Sequence, residues 1–159
     1  MIPAAIHGKG AAFDLRSPFG ALTSFYLAFN NRNLLGMESV WLGGQEPSMD
    51  NPIGGIRRGW AEIKAGYETL FSGNARVEAE FHDYTIQEFG SVALAIGRER
   101  GWCESPAGKM TLAIRTSRIF VRTNEGWKQL HHHGSVEYPA MLEQYQKLLF
   151  GRPLTPAVS

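Results

Sequence analysis

Three consecutive histidines, His131, His132 and His133, stand inside the run WKQLHHHGSVEYP, residues 127–139. Clustered imidazoles suit a metal site or a general base. The surrounding residues read as a strand, and strand alternation projects His131 and His133 from one face and His132 from the other. All three therefore cannot converge on one ion. His131 and His133 together would need a third ligand, with His82 or Asp83 on another strand as the obvious source. No metal site is assigned on this basis, and His131 or His133 stays open as a base. No cofactor motif is found either: GGIRRG (54–59) lacks the Gly-Lys-Ser/Thr ending and the strand–helix setting of a phosphate loop. Cys103 has no histidine near it in sequence to activate it, and reads as an incidental thiol.

Composition bounds what could hold these groups. The chain has 159 residues, 43% of them hydrophobic, enough for one good core. Lys and Arg number 16 against 15 Asp and Glu, so no overall charge draws it to nucleic acid or a membrane. A single cysteine excludes an internal disulfide and a multi-cysteine zinc site. No apolar run approaches the roughly 18 residues of a membrane span. The N-terminus lacks the basic and continuous apolar regions of a signal peptide, so a cytoplasmic location is the default expectation.

Residues 1–17 are Ala/Gly-rich without a period and read as a flexible arm. Ser17-Pro18 looks like a helix start, and Phe19, Leu22, Phe25, Tyr26 and Phe29 follow at helical spacing to about Arg32. NLLGMESVWLGG suits a short second helix, and QEPSMDNPIGGIRRG is turn chemistry around one extended piece. Gly59 to Ser72 returns to helical spacing through Trp60, Ile63, Tyr67, Leu70 and Phe71. These aromatics read as core or cavity wall rather than as a stacking platform for bases. From residue 75 the period becomes two, over four strand-like runs beginning ARVEAEF, VALAIG, KMTLAI and GWKQLH. SPAGK and TNEG connect them. Pro139 opens a last helix that ends at Gly151, leaving 152–159 as a tail. The sum is an α+β domain over 18–151, its antiparallel sheet curled over helices on one face.

The order helix, helix, Asp-Asn-Pro-x-Gly turn, helix and long bent strands resembles the cone-shaped fold of nuclear transport factor 2. That group includes ketosteroid isomerase, SnoaL-like polyketide cyclases and the kinase association (hub) domain. MDNPIGG…RGWAEIKAGYETL is similar to the isomerase pattern, and TSRIFVRTNEGWKQLHHHGS resembles the closing hairpin of the association domain of calcium/calmodulin-dependent kinase II. ALAIGRERGW resembles that domain's preceding strand. The resemblance covers roughly residues 19 to 136 and implies a curved sheet wrapped on three helices around a cavity.

What the resemblance implies about activity is narrower. The isomerase base is an Asp directly before the Pro, but here Asn51 precedes Pro52, and an amide cannot take up that proton. Asp50 lies one residue earlier and, in extended backbone, points the other way. Tyr26 falls near one oxyanion donor of the isomerase, and Arg118 near the other, so authentic steroid isomerisation is not expected. Arg98 and Arg118 match inward arginines of the hub domain, with Lys64 near a third basic position. Either the two arginines clasp an anionic or carboxylated apolar ligand, or they pair with Glu80, Glu88 or Glu99 across the sheet. The expected pocket comprises Tyr26, Trp41, Asn51, Trp60, Lys64, Tyr67, Arg98, Arg118 and His133. Proton-transfer chemistry of isomerase, cyclase or dehydratase type suits such a cavity, with Asp50 or His133 as base and Tyr26 or Arg118 as oxyanion partner. The alternative is a non-catalytic association domain. The group further implies a homodimer formed through the outer sheet face, and a small-molecule ligand as partner.

Overall fold

A computed structural model describes residues 2–154. The elements are β1 (Ala5–Ile6), α1 (Pro18–Asn30), α2 (Leu34–Val40), β2 (Ser48–Asp50), β3 (Arg57–Arg58), α3 (Gly59–Ser72), β4 (Arg76–Phe89), β5 (Val92–Ser105), β6 (Gly108–Thr123), β7 (Gly126–Val136) and α4 (Pro139–Phe150). Their boundaries follow local chemistry. Ser17 caps α1 by accepting a hydrogen bond from Gly20 N–H at 3.0 Å, and Pro18 takes the first-turn position that needs no donor. Asn33 caps α2 in the same way, through Gly36 N–H. Gly151, at φ 73°, ends α4 in the left-handed conformation that glycine adopts without strain.

The seven strands form one sheet in the order β1-β4-β5-β6-β7-β2-β3, antiparallel throughout except where β2 runs parallel to β7. The long strands β4 to β7 bend around α1, α2 and α3. Their inward rows are Val77, Ala79 and Phe81, then Ala93 and Ala95, then Leu112, Ile114 and Phe120, all buried. At Gly101 the backbone of β5 adopts φ 147° and lies so close to β4 that a Cβ there would stand 2.0 Å from the Glu78 carbonyl oxygen. Glycine is required at that contact. A second core lies under α4, where Tyr145 and Leu148 pack with Val77, Cys103, Met110, Leu112 and Ile114. The last helix thus packs on its own sheet. Its Gln146 Nε2 donates to the Ile53 carbonyl at 2.8 Å, tying α4 to the turn after β2.

The N-terminal segment expected as a flexible arm is instead an edge of the sheet. Ala5 and Ile6 pair with His82 and Phe81, and Ile6 is only 2% exposed. Trp127 N–H donates to Leu15 O at 2.7 Å, and Asp14 N–H to Ser24 Oγ at 2.9 Å. A two-residue strand is too short to display a period, so its residues carry no pattern to read. The turn region also yields more order than expected, two short strands rather than one extended piece. The tail expected over 152–159 lies, from residue 155 onward, outside the described residues.

Asn30 anchors α1 to the sheet. Its side-chain oxygen accepts from Ala79 N–H at 2.9 Å, while its amide donates to the Ala79 and His7 carbonyls. Asn30→Ala leaves these backbone groups without partners and is expected to cost about 1–3 kcal/mol in urea unfolding. A loss below about 0.5 kcal/mol would mean that solvent replaces the amide.

Candidate ligand-binding site

The site begins with an ionic side chain on an inward strand position. Arg118 of β6 faces the interior between Ala95 of β5 and His132 of β7, its partners on either side in the sheet. It is wholly buried. A guanidinium there requires compensation for lost hydration. Its Nη2 donates to Glu99 Oε1 at 2.6 Å and to the Tyr26 hydroxyl at 3.2 Å, and its Nη1 donates to Gln129 Oε1 at 2.8 Å. Tyr26 in turn donates to Glu99 at 2.8 Å. The guanidinium carbon also sits 4.0 Å from the centre of the Phe25 ring. Burial opposes the charge on Arg118, yet Tyr26 and Glu99 outweigh it and raise its pKa above the ordinary value. Burial holds the Tyr26 hydroxyl well above the usual phenol range, against the opposing pull of Arg118, so it stays a donor.

A cavity of about 240 Å³ opens beside this cluster. Apolar side chains form most of its wall: Phe25 and Phe29 of α1, Met49 of β2, Tyr67 and Leu70 of α3, Leu112 and Ile114 of β6, and Tyr145 and Leu149 of α4. Glu99, Arg118 and His132 supply polar groups to the same wall. His132 is buried, and neither ring nitrogen has a protein partner; Arg118 Nε likewise has none. Burial first, and the Arg118 guanidinium second, hold the His132 pKa well below the usual histidine range. The imidazole is therefore neutral at pH 7, with one donor and one acceptor.

A bulge in β7 determines this arrangement. Phe120 pairs with Gln129 and Ile119 with His131, so Leu130 is skipped and the alternation changes phase. Gln129 before the bulge and His132 after it consequently both face inward, flanking Arg118. His131 and His133 face outward.

Of the residues expected in the pocket, Asn51, Tyr67 and Arg118 line the cavity. Tyr26 lies against Arg118 with its hydroxyl fully engaged. Asn51 uses its side-chain oxygen as a turn acceptor for Ile53 N–H, at 3.1 Å. Trp41 is buried at the end of α2, while Trp60 and Lys64 are half-buried on α3; none of the three borders the cavity. Arg98 and His133 are corrected outright. Both occupy the outer face of the sheet, because they are one residue out of phase with inward Glu99 and His132. Arg98 pairs there with Asp83 and Glu137. Asp50 is on the same outer face, 3.2 Å from His133 Nδ1, so neither candidate base reaches the cavity. Of the two readings of the arginines, Arg118 follows the cross-sheet pairing, with Glu99 as its partner, and it also borders the cavity. His132 and Glu99 were missed as cavity-lining residues, and Gln129 as the partner of Arg118 behind the wall; only the neighbouring Arg118 hinted at a buried acid.

Solved structures place the fold in a class. A candidate dehydratase of the NTF2-like family from Streptomyces avermitilis matches with a TM-score of 0.69 at 21% identity, covering 74% of this chain and 92% of that one. A candidate calcium/calmodulin-dependent protein kinase type II association domain from Thiobacillus denitrificans matches with a TM-score of 0.64 at 22% identity, covering 78% and 98%. An NTF2-like superfamily protein from Salmonella enterica matches with a TM-score of 0.64 at 18% identity, covering 74% and 87%. These similarities define the α+β cone of the nuclear transport factor 2-like class. No curated protein matches the sequence. The family model of the SnoaL-like domain matches residues 20–139, and the chain belongs to that family.

Two outcomes follow from the buried cluster. Arg118→Met strands Glu99 as an uncompensated buried charge and should cost about 3–5 kcal/mol in chemical denaturation, whereas Arg118→Met with Glu99→Gln should recover most of the loss. His132 makes stability pH-dependent with a defined sign. The unfolded chain protonates it near the ordinary histidine value of 6.5, while the folded chain does not until far lower pH. Stability present at neutral pH is therefore lost as pH falls below that value, by up to about 1.4 kcal/mol per pH unit. Thermal melts between pH 7 and pH 5 should show a steeper acid loss in wild type than in His132→Phe.

Proposed function

We propose that the cavity binds a small, predominantly apolar molecule bearing one carbonyl or hydroxyl group, held by His132 and Arg118 Nε–H. The observation that carries this reading is the buried His132 imidazole on an apolar cavity wall, with both nitrogens free of protein partners. Buried polar atoms in folded proteins are almost always paired, so the arrangement fits an occupant that pairs them. Among ligand charges, a neutral polar group fits better than an anion, because Glu99 already neutralises Arg118. Of the small, partly apolar ligands expected, anionic or not, the neutral ones are the better fit. The pocket assignment rests on Arg118, His132, Asn51 and Tyr67.

Proton transfer is the chemistry such a site could perform. A neutral His132 can accept a proton from carbon, while Arg118 Nε–H holds an oxygen that gains charge. Isomerase, cyclase and dehydratase reactions share that demand, and the Streptomyces neighbour's dehydratase description is compatible with it. The second reading, self-association without chemistry, is favoured by Phe89, Val92 and Ile96, which are exposed together on the outer sheet face.

A thermal-shift screen distinguishes ligand charge and site together. Cyclic ketones and alcohols should raise the melting temperature of wild type at millimolar concentration, while the matching carboxylates raise it less, and His132→Phe should abolish the shift. A broad panel without a shift, or equal shifts in His132→Phe, would overturn the proposal.

A further inference from the structure

The two outward histidines meet a partner that neither their spacing nor the cavity explains. Because β2 runs parallel to β7, Asp50 lies directly beside His133 and Ser48 beside His131. Asp50 Oδ2 stands 3.2 Å from His133 Nδ1, and one ligand atom from each of Asp50, His131 and His133 lies within 4.8 Å of the others. Ser48 Oγ is hydrogen-bonded to His131 Nδ1 at 2.7 Å. With Nδ1–H as the donor, that bond orients the ring and leaves its Nε2 as the ligand atom, as a supporting residue does around a bound metal.

We infer that Asp50, His131 and His133 form a binding site for a divalent transition metal of the zinc class, on the outer face of the sheet and separate from the cavity. The donor set is two imidazoles and one carboxylate, a combination that zinc and its neighbours accept while keeping a position open. The geometry is close to what an ion needs. Two ligands of one tetrahedral zinc, at bond lengths of about 2.0–2.1 Å, stand about 3.3 Å apart, and the Asp50–His133 separation already matches. The wider contact closes by rotation of side chains that are partly exposed on a rigid pair of strands. Three cations flank this site on the same face: Arg115 and Arg98 belong to the next row of the sheet, about 7 Å along the strands, and Arg58 of β3 pairs with Ser48. Arg98 is neutralised there by Asp83 and Glu137. The turn between β2 and β3 and the bulge at Leu130 both act on this site, since together they set the β2–β7 register and the phase of the histidines.

The test uses the whole chain without an affinity tag, titrated with Zn²⁺ against a chromophoric chelator and with Co²⁺ by visible absorption. One equivalent of Zn²⁺ is expected to bind in the micromolar range or tighter. His131→Ala, His133→Ala and Asp50→Asn should each weaken it by roughly tenfold or more. His82→Ala, which removes a surface imidazole on β4, should leave binding unchanged. In wild type alone, Zn²⁺ should shift the NMR resonances of the His131 and His133 rings and not those of His82, a readout independent of how the variants fold. Binding weaker than millimolar, several equivalents of equal weak affinity, or wild-type affinity in Asp50→Asn would overturn the site.

Discussion

The buried ion pair of Arg118 with Glu99 is the constraint around which this structure is arranged. A guanidinium inside an apolar cone is tolerable only with an adjacent carboxylate and with acceptors for its remaining protons. Four side chains from three elements surround it: Glu99 from β5, Gln129 from β7, and Tyr26 with the Phe25 ring from α1. The pair therefore sets the seating of α1 on the sheet and the register of three strands at once. A shift of one residue in β5 or β6 would turn one charge outward and leave the other unpaired.

From that constraint the cavity acquires its character. The ion pair occupies one wall and is nearly neutral as a unit, so the neighbouring space is polar at one end without carrying net charge. Sheet curvature makes room for it: the close approach of β5 to β4 at Gly101 and the bulges near Asp83 and at Leu130 let long strands wrap rather than stack flat. The fourth helix then covers the open side, with Tyr145 and Leu149 completing the wall. His132 and the Nε–H of Arg118 are the groups left over once the ion pair is formed, which is why the functional proposal rests on them.

The outer face follows the opposite logic. There the side chains alternate between ions and apolar groups, and Arg98 pairs with Asp83 and Glu137. Asp50, His131 and His133 form, among the described residues, the one group of three or more imidazoles and carboxylates close enough to hold an ion. The same strand thus carries two sets of histidine chemistry, separated by the thickness of a sheet.

Much of the architecture was legible in the sequence. The cap at Ser17, the first-turn proline at Pro139, the helical stripe from Trp60 to Phe71 and the period-two runs after residue 75 each encode their element locally, because capping, proline and periodicity act within a few residues. The split of the three histidines into two and one was also determined by the sequence, since it depends only on the pleat. Which side each faced was not. Counting inward from Trp127 and Gln129 leads to His131 and His133, and the bulge at Leu130 reverses that count. A bulge arises from pairing with β6, where the partner's twist and the need of Arg118 for Gln129 decide which residue is passed over. The parallel approach of β2, which brings Asp50 to His133, is likewise a contact between residues 83 positions apart. Local chemistry thus chose the elements, and long-range pairing chose which side chains they turned into the cavity.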